Sequence, residues 1–516
     1  MKKRYTKHDL WKLMLISLFF AFPCIRSSAQ FTFVTGVANT SKSGQKSVRL
    51  LGNVTASGQF SKYGGNLNAK KSTTGYFRTM QVNDCWYLVD PDGYLFFMVG
   101  VNSVIKGGGI LLPDALRDIG TNTLGCWSDE TINEGTDKKM AYCPRWNFMA
   151  TYKNSTQRTK DLYAKGIIPV FDQAYVTFCN SHAMQLMASS QDPYLLGHFS
   201  DNELPIYDNT TYGDLLDRFL AISDKSDPNY LAAHNWMISR KGIGYKVTDE
   251  DREPFHGYLM GTYYRITGEA IKKYDPNHLY LGSRLHGGAL SKPSIYTEAG
   301  KYVDIISINC YNVWTPSKTN MDMWSAGKKP FFITEFYAKA EDSGLLNETG
   351  AGWLVPTQED RAKFFENFTL ALIEHPGCVG FHHFKYNDDD GSNKGLVSET
   401  FKWYEPLKNS FYKVARDIYG LREFLTNKST GWMPPERNRT IRIFPNPSKR
   451  EFFIQTEETP AFGEIEVFSA AGCLVQQLKN TRFPYRLEMN HSPAGTYIIR
   501  INQNENVFSK QIVLTN

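Results

Sequence analysis

From Trp86 onward, short runs of β-branched and aromatic residues alternate with longer stretches whose apolar positions recur at helical spacing. The short runs fall at 95–101, 121–127, 167–175, 194–203, 279–285, 304–312, 330–337 and 379–387. Each has the length and side-chain type of a buried strand. Helix-like segments such as 147–166 and 358–376 lie between them, the latter with Phe364, Phe365, Phe368 and Leu372 along one face. Strands alternating with helical segments predict βα units around a parallel sheet, and eight such units close a (β/α)8 TIM barrel. The fold class is therefore α/β, with the barrel expected at 85–425.

The flanks have other textures. Residues 30–84 are Gly/Ser/Thr-rich with scattered strand-like runs, which predicts a small N-terminal β elaboration packed on the barrel. A polar linker at 426–440 contains Pro434-Pro435, which cannot continue a helix. At 441–516 apolar and polar residues alternate around turn signals, the pattern of an antiparallel β-sandwich. Residues 1–29 read as a signal peptide: a basic start, the apolar core LMLISLFFAF, then small residues before Gln30. That core is too short to span a bilayer.

Net charge is +6, most of it carried by the leader, so the remainder is near neutral and nothing argues for nucleic acid. Aromatic content of 14% is high, and carbohydrate clefts are one use for it. Cys85, Cys126, Cys143, Cys179, Cys310, Cys378 and Cys473 are scattered, which is not a disulfide framework. Without CxxC or HExxH, no metal and no cofactor is expected. Asp388-Asp389-Asp390-Gly391 reads either as an oxygen-rich calcium loop or as a solvated turn.

Candidate chemistry sits at the strand ends. Glu203 in GHFSDNELP ends the fourth run and Glu335 in PFFITEFY falls in the last residues of the seventh. Taken alone, either reads as a surface or capping residue. In a barrel, both stand at the C-terminal rim where active sites lie. Two such carboxylates, one a proton donor and one a nucleophile about 5–5.5 Å away, are what a retaining glycosidase requires. Asn102, Trp127, Asp172, Arg284, His286 and His382 also follow apolar runs closely, so each lines the cleft or sits as a satisfied core or rim group. Trp353, in a Gly-rich loop after the seventh run, stacks on a sugar ring or anchors that loop. The stretch from Glu203 to Glu335 exceeds the roughly 95 residues that three βα units need, which places an insertion at 204–255 beside the cleft.

With these features the chain resembles the large clan of retaining (β/α)8 glycoside hydrolases. WYLVDPDGYLFFMVGVNSV (86–104), NTLGCWSD (122–129), DNELP (201–205) and ETGAGWLVPTQEDRAKFF (348–365) are most similar to β-agarase-type enzymes of glycoside hydrolase family 50. The resemblance, over roughly 72–420, implies Glu203 as acid/base and Glu335 as nucleophile. It implies that Asn202 binds the sugar hydroxyl beside the anomeric carbon, and that Tyr311 lowers the pKa of Glu335 by donating a hydrogen bond. Two departures stand out: His382 and His383 where the clan often has a Trp at the end of strand eight, and Trp127-Ser128 where an Arg is often found near strand two. FPNPS, the AAG turn, GTYIIRI and KQIVL resemble the C-terminal sorting domain of the type IX secretion system of Gram-negative bacteria. The other reading of that sandwich is a carbohydrate-binding module. The resemblances together imply a secreted or cell-surface retaining hydrolase of an agarose-type galactan, whose partners are a polysaccharide and the secretion machinery. A β-1,3-glucanase, a β-galactosidase and a catalytically silent glycan-binding protein are the alternatives.

Overall fold

Residues 31–52, 54, 57–206, 211–427, 442–455, 461–470, 474–503 and 506–515 are described by the computed structural model. The chain divides after Thr426 into two units. The expected signal peptide and nearly all of the expected linker lie outside the described residues.

The first unit opens with a hairpin of β1 (Phe33–Thr40) and β2 (Gly44–Leu51). It is followed by a four-stranded antiparallel sheet of β3 (Asn66–Lys70), β4 (Arg78–Val82), β5 (Cys85–Val89) and β6 (Tyr94–Phe96), ordered β3-β6-β5-β4. The hairpin is fastened to the helix Gln358–Glu374: Asp360 Oδ1 accepts from Asn39 N at 3.0 Å, Asn367 Oδ1 from Arg49 N at 2.9 Å, and Glu366 Oε2 from Leu51 N at 3.0 Å. The N-terminal segment thus packs on the α/β body as the sequence implies, but its sheet runs past residue 84. The run at 95–101 is split at Phe97, and its first half pairs with the antiparallel sheet.

Then come the parallel strands β7 (Met98–Val101), β8 (Thr123–Leu124), β9 (Ala141–Tyr142), β10 (Gly197–Asn202), β11 (Leu279–Arg284), β12 (Ile306–Asn309) and β13 (Phe331–Glu335). The short parallel pair β14 (Ala338–Ala340) and β15 (Trp353–Val355) precedes β16 (Cys378–His383). One sheet has the order β12-β13-β16-β7-β8-β9, and β10 pairs with β11. Parallel bridges Tyr142↔Leu195 and Arg145↔Phe199 connect the β9 segment to the β10 segment, and Leu285↔Ile308 connects β11 to β12. Nearly every residue of these strands is buried, the signature of parallel strands covered on both faces.

The helices obey local rules. The Thr357 hydroxyl accepts from Asp360 N at 3.1 Å and starts the helix Gln358–Glu374. That helix buries the expected face: Phe368 stacks on Phe336 at 4.4 Å between ring centroids, with Phe364, Phe365 and Leu372 beside it. Burial of each is worth about 1.5–3 kcal/mol. The segment 147–166 is two helices, Phe148–Tyr152 and Gln157–Ala164, because Thr156 forms a capping box that restarts the helix. The insertion after Glu203 is helical, with Leu215–Leu220, Pro228–Lys241 and the long Asp249–Tyr274.

One expected strand is absent. Residues 167–172 form no strand, and a helix begins at Gln173. Pro169 has no N–H to give a ladder, and Val170 N turns back onto Ile168 O at 2.8 Å. Ile167, Ile168 and Val170 are buried as core, which is why the run looks strand-like. The third parallel strand is instead the two-residue β9.

The second unit comprises β17 (Arg442–Phe444), β18 (Glu451–Gln455), β19 (Ala461–Ser469), β20 (Leu474–Phe483), β21 (Tyr485–Glu488), β22 (Gly495–Gln503) and β23 (Asn506–Leu514). Two antiparallel sheets, β17-β18-β21 and β20-β19-β22-β23, share a core that includes Phe452, Ile454, Ile465, Val467, Leu487, Ile499 and Ile512. The alternating sequence pattern anticipates this arrangement.

Candidate active site

At the C-terminal ends of the parallel strands, β10, β11, β12 and β13 bring polar side chains into one network. β10 delivers Asn202 and Glu203. Glu203 has φ +49°, a left-handed conformation that costs a non-glycine residue roughly 1–2 kcal/mol. It is held by a hydrogen bond from Glu203 N to the Arg284 carbonyl at 3.0 Å. Upstream, the buried Asp201 accepts from Met149 N at 2.8 Å, Ala150 N at 3.0 Å and Tyr263 OH at 2.7 Å, which pins the strand end against the neighbouring helix. Burial pushes the Asp201 carboxyl up to about 6, against these three donors.

Arg284, fully buried at the end of β11, is the hub. Nη1 donates to Asn202 Oδ1 at 2.9 Å, Nη2 donates to the Thr334 carbonyl at 3.0 Å, and Nη2 lies 2.7 Å from Glu335 Oε1. Asn309, closing β12, donates from Nδ2 to Glu203 Oε1 at 2.9 Å and to Asn202 Oδ1 at 3.2 Å. Its Oδ1 accepts from the Thr334 hydroxyl at 2.6 Å. Asn202 Oδ1 therefore accepts twice, while its Nδ2 donates to no described residue. Tyr311 donates to Glu335 Oε2. The two glutamates are thus tied to one another through Asn202, Asn309 and Arg284.

Burial pushes the Glu335 carboxyl above its ordinary range. Arg284 and the Tyr311 hydrogen bond pull it back, and the charge of Glu203 adds to the rise. The family resemblance implied that Tyr311 lowers this pKa; its contribution has that sign, but burial outweighs it. Burial and then Glu335 hold the Tyr311 hydroxyl well above its usual value, so it stays a donor.

Aromatic rings line the same rim. Tyr311 meets Tyr337 at 5.3 Å, Tyr337 meets Phe384 at 5.8 Å, and Phe384 meets Trp127 at 5.9 Å. Trp127, 40% exposed with φ +60°, has the Arg284 guanidinium 4.5 Å from its ring centroid. Phe384 directly follows β16, next to the His382 and His383 singled out in the sequence.

The other expected residues divide. Asn102 is buried under the network and donates to the same Thr334 carbonyl at 2.7 Å. His382 is fully buried beside it, in space that exists because Gly100 lacks a Cβ, which would stand 2.2 Å from its Cδ2. Burial, then Arg284, lowers its pKa to about 3, so the ring is neutral and belongs to the floor. His286 is partly buried at the start of the turn 287–291. Asp172 lies in a separate knot, accepting from Arg158 Nη1 at 2.7 Å, Asn229 Nδ2 at 2.8 Å and Tyr152 OH at 3.2 Å. Trp353 is half-buried, edge-on to Trp314 at 5.4 Å and with Lys46 over its ring. In the Asp run, Asp388 accepts from Tyr404, Asn393 and Gly395, while Asp389 and Asp390 pair with Lys385 and Lys394. The six described cysteines are free and buried. Sequence reasoning missed Asn309, Thr334, Tyr337 and Phe384, although all four lie within or beside runs that it marked as strands.

Residues 442–515 match the secretion system C-terminal sorting domain family, which marks the chain for export to the cell surface or beyond. Beta-agarase B of Vibrio sp. (strain JT0107) is 26% identical over 70% of this chain, and Beta-agarase A of the same strain is 26% identical over 59%. The chain spans half the length of the first relative and 35% of the second. Among solved structures, BpGH50 is 31% identical with a TM-score of 0.68, over 77% of this chain and 96% of its own. The agarase AgWH50C shares the fold at 21% identity and a TM-score of 0.58, over 70% of this chain and 66% of its own.

Proposed function

The chain belongs to glycoside hydrolase family 50, and we propose that it hydrolyses a β-linked polysaccharide, an agarose-type galactan, with retention of anomeric configuration. The observation that carries this reading is the shared network: two carboxylates at the ends of β10 and β13, joined through Asn202, Asn309 and Arg284. A protein that only bound glycans would not need them so joined. The same reading takes the parallel strands as a closed (β/α)8 barrel; the ladder from β12 through β16 to β9 and the bridges on either side of the β10–β11 pair support it. It takes 1–29 as a signal peptide, 30–84 as the N-terminal elaboration, 85–425 as the catalytic domain and 441–516 as the sorting domain beyond a linker.

In the proposed reaction Glu203 protonates the glycosidic oxygen as Glu335 attacks the anomeric carbon, so the C–O bond to the leaving sugar breaks as the ester to Glu335 forms. Glu203, now a carboxylate, takes a proton from water. The water oxygen then displaces Glu335 and regenerates both groups. Arg284 and Tyr311 act against the rise that burial imposes on the Glu335 carboxyl, and so favour the ionised form that the first step uses. The Nδ2 of Asn202, which donates to no described residue, is available to the hydroxyl beside the anomeric carbon, and the exposed Trp127 offers apolar surface to a sugar.

Two measurements test this. Proton NMR of fresh products from agarose, porphyran, laminarin and galactan identifies the substrate, and the first-formed anomer should have the configuration of the substrate. On an activated aryl glycoside, azide should speed turnover of Glu203→Ala and give the glycosyl azide of retained configuration, whereas any azide product of Glu335→Ala should be inverted. Inversion by the unmutated enzyme, or equal losses in both variants that ignore azide, would refute the assigned roles.

A further inference from the structure

Arg145 follows β9 at the rim, where its backbone bridges Phe199 of β10, three residues before Asn202. Its guanidinium lies 4.8 Å from the Trp127 ring centroid, so this indole is shared with Arg284. The two cations differ in what they hold. Arg284 is committed to Asn202, Thr334 and Glu335, whereas Arg145, half-buried, has no hydrogen-bond acceptor and no ion-pair partner among the described residues. It faces a pocket also lined by Trp127, Ser128, Glu130, Tyr142 and Pro144.

A half-buried guanidinium without a protein acceptor keeps its N–H donors free for a ligand. Stacked on an indole, it presents a fixed fork of N–H groups suited to a tetrahedral or planar oxyanion. The Ser128 hydroxyl accepts from Val104 N at 3.2 Å, which leaves its hydrogen to donate into the pocket. Tyr142 is committed, since its hydroxyl donates to Asp192 Oδ2 at 3.0 Å. Glu130 is the opposing charge in the pocket and limits how deep an anion can sit.

The geometry points to a subsite for an anionic sugar unit, in which Arg145 and Ser128 bind a sulfate ester or a uronate carboxylate beside the exposed part of Trp127. This inference rests on the proposed hydrolysis of a galactan. It deepens that reading by selecting charged substrates, since the pocket adjoins the strand that carries Glu203.

The test compares the full chain with Arg145→Gln and Arg145→Lys on three oligosaccharides of one galactan backbone: neutral, bearing galactose 6-sulfate, and bearing a uronate. In Arg145→Gln the ratio of kcat/KM for the charged substrate over the neutral one should fall at least tenfold, about 1.4 kcal/mol. Arg145→Lys should recover part of it, as a charge without the fork. A fall with the sulfated substrate assigns sulfate, and a fall with the uronate assigns carboxylate. An unchanged ratio for both, or equal loss on the neutral substrate, overturns the subsite. Calorimetric binding of the same three ligands to Glu335→Gln, with and without Arg145→Gln, reads the subsite independently of turnover. If the wild type cleaved no galactan, this binding arm would still decide the role of Arg145, and only the proposed reaction would fall.

Discussion

Tyr311→Phe removes one hydrogen bond and leaves the ring, so it isolates what the phenol does to Glu335. The phenol donates to Glu335 Oε2 while Arg284 adjoins Oε1, and both oppose the rise that burial imposes. A hydrogen bond to a charged group is worth about 1.5–3 kcal/mol, and one pKa unit is 1.36 kcal/mol. Losing it should raise the Glu335 pKa by about one to two units, toward the lower figure if water takes the place of the phenol. The sign follows from the reaction: a nucleophile works deprotonated, so activity appears as pH rises through its pKa. A higher pKa moves the acid limb of kcat/KM, which reports the free enzyme, to higher pH. The assay is a kcat/KM profile on a neutral oligosaccharide with Tm followed alongside. Arg284 is a poorer probe of the same effect, because it also orders Asn202. An acid limb that stayed in place while the plateau fell would refute the reasoning and reduce Tyr311 to a positioning residue.

Two further outcomes follow from regions away from the glutamates. Asp275 accepts from His198 Nε2 and His278 Nδ1, both at 2.7 Å in a fully buried cluster, and although burial raises its pKa these partners outweigh it and hold the carboxyl below the ordinary range. A depressed carboxylate contributes stability above its unfolded pKa of about 3.9 and loses it as pH falls through the folded value. Asp275→Ala should therefore cost about 3–5 kcal/mol at neutral pH in urea unfolding and lessen the acid dependence; a loss equal at pH 3 and pH 7 would refute it. Ending the chain at Thr426, where the two units divide, should leave hydrolysis within about twofold and retain the protein inside its host cell; lost polysaccharide binding with export unchanged would make the second unit a carbohydrate-binding module.

Much of this arrangement was legible because it depends on chain periodicity. Helical spacing marked the buried face of Gln358–Glu374, period-two alternation marked the second unit, and strand-like runs ending in Glu203 and Glu335 placed both carboxylates at one rim. The third parallel strand was not legible for a physical reason. Two residues, Ala141 and Tyr142, are too few to show periodicity, while the apolar run 167–170 is equally buried but lies outside the ladder. Burial and strand pairing usually coincide, and Pro169 separates them here. That misreading also hid Arg145, because a strand-end argument can nominate only residues that follow a recognised strand.

The side chains that the sequence did nominate sort by depth, which strand-end position alone does not fix. Arg284, Asn102 and His382 all close parallel strands, yet only Arg284 is long enough to rise from the buried layer and bond Asn202 at the rim, while His382 stays in the space beside Gly100. Asn309 shows the converse: its amide stays within the network and bonds Glu203 and Asn202 at once. An amide in that place can donate to a carboxylate and accept from Thr334 without adding charge. A lysine there would pair with Glu203 and oppose its return to the protonated state, so the acid/base role assigned to Glu203 calls for a neutral neighbour at the end of β12.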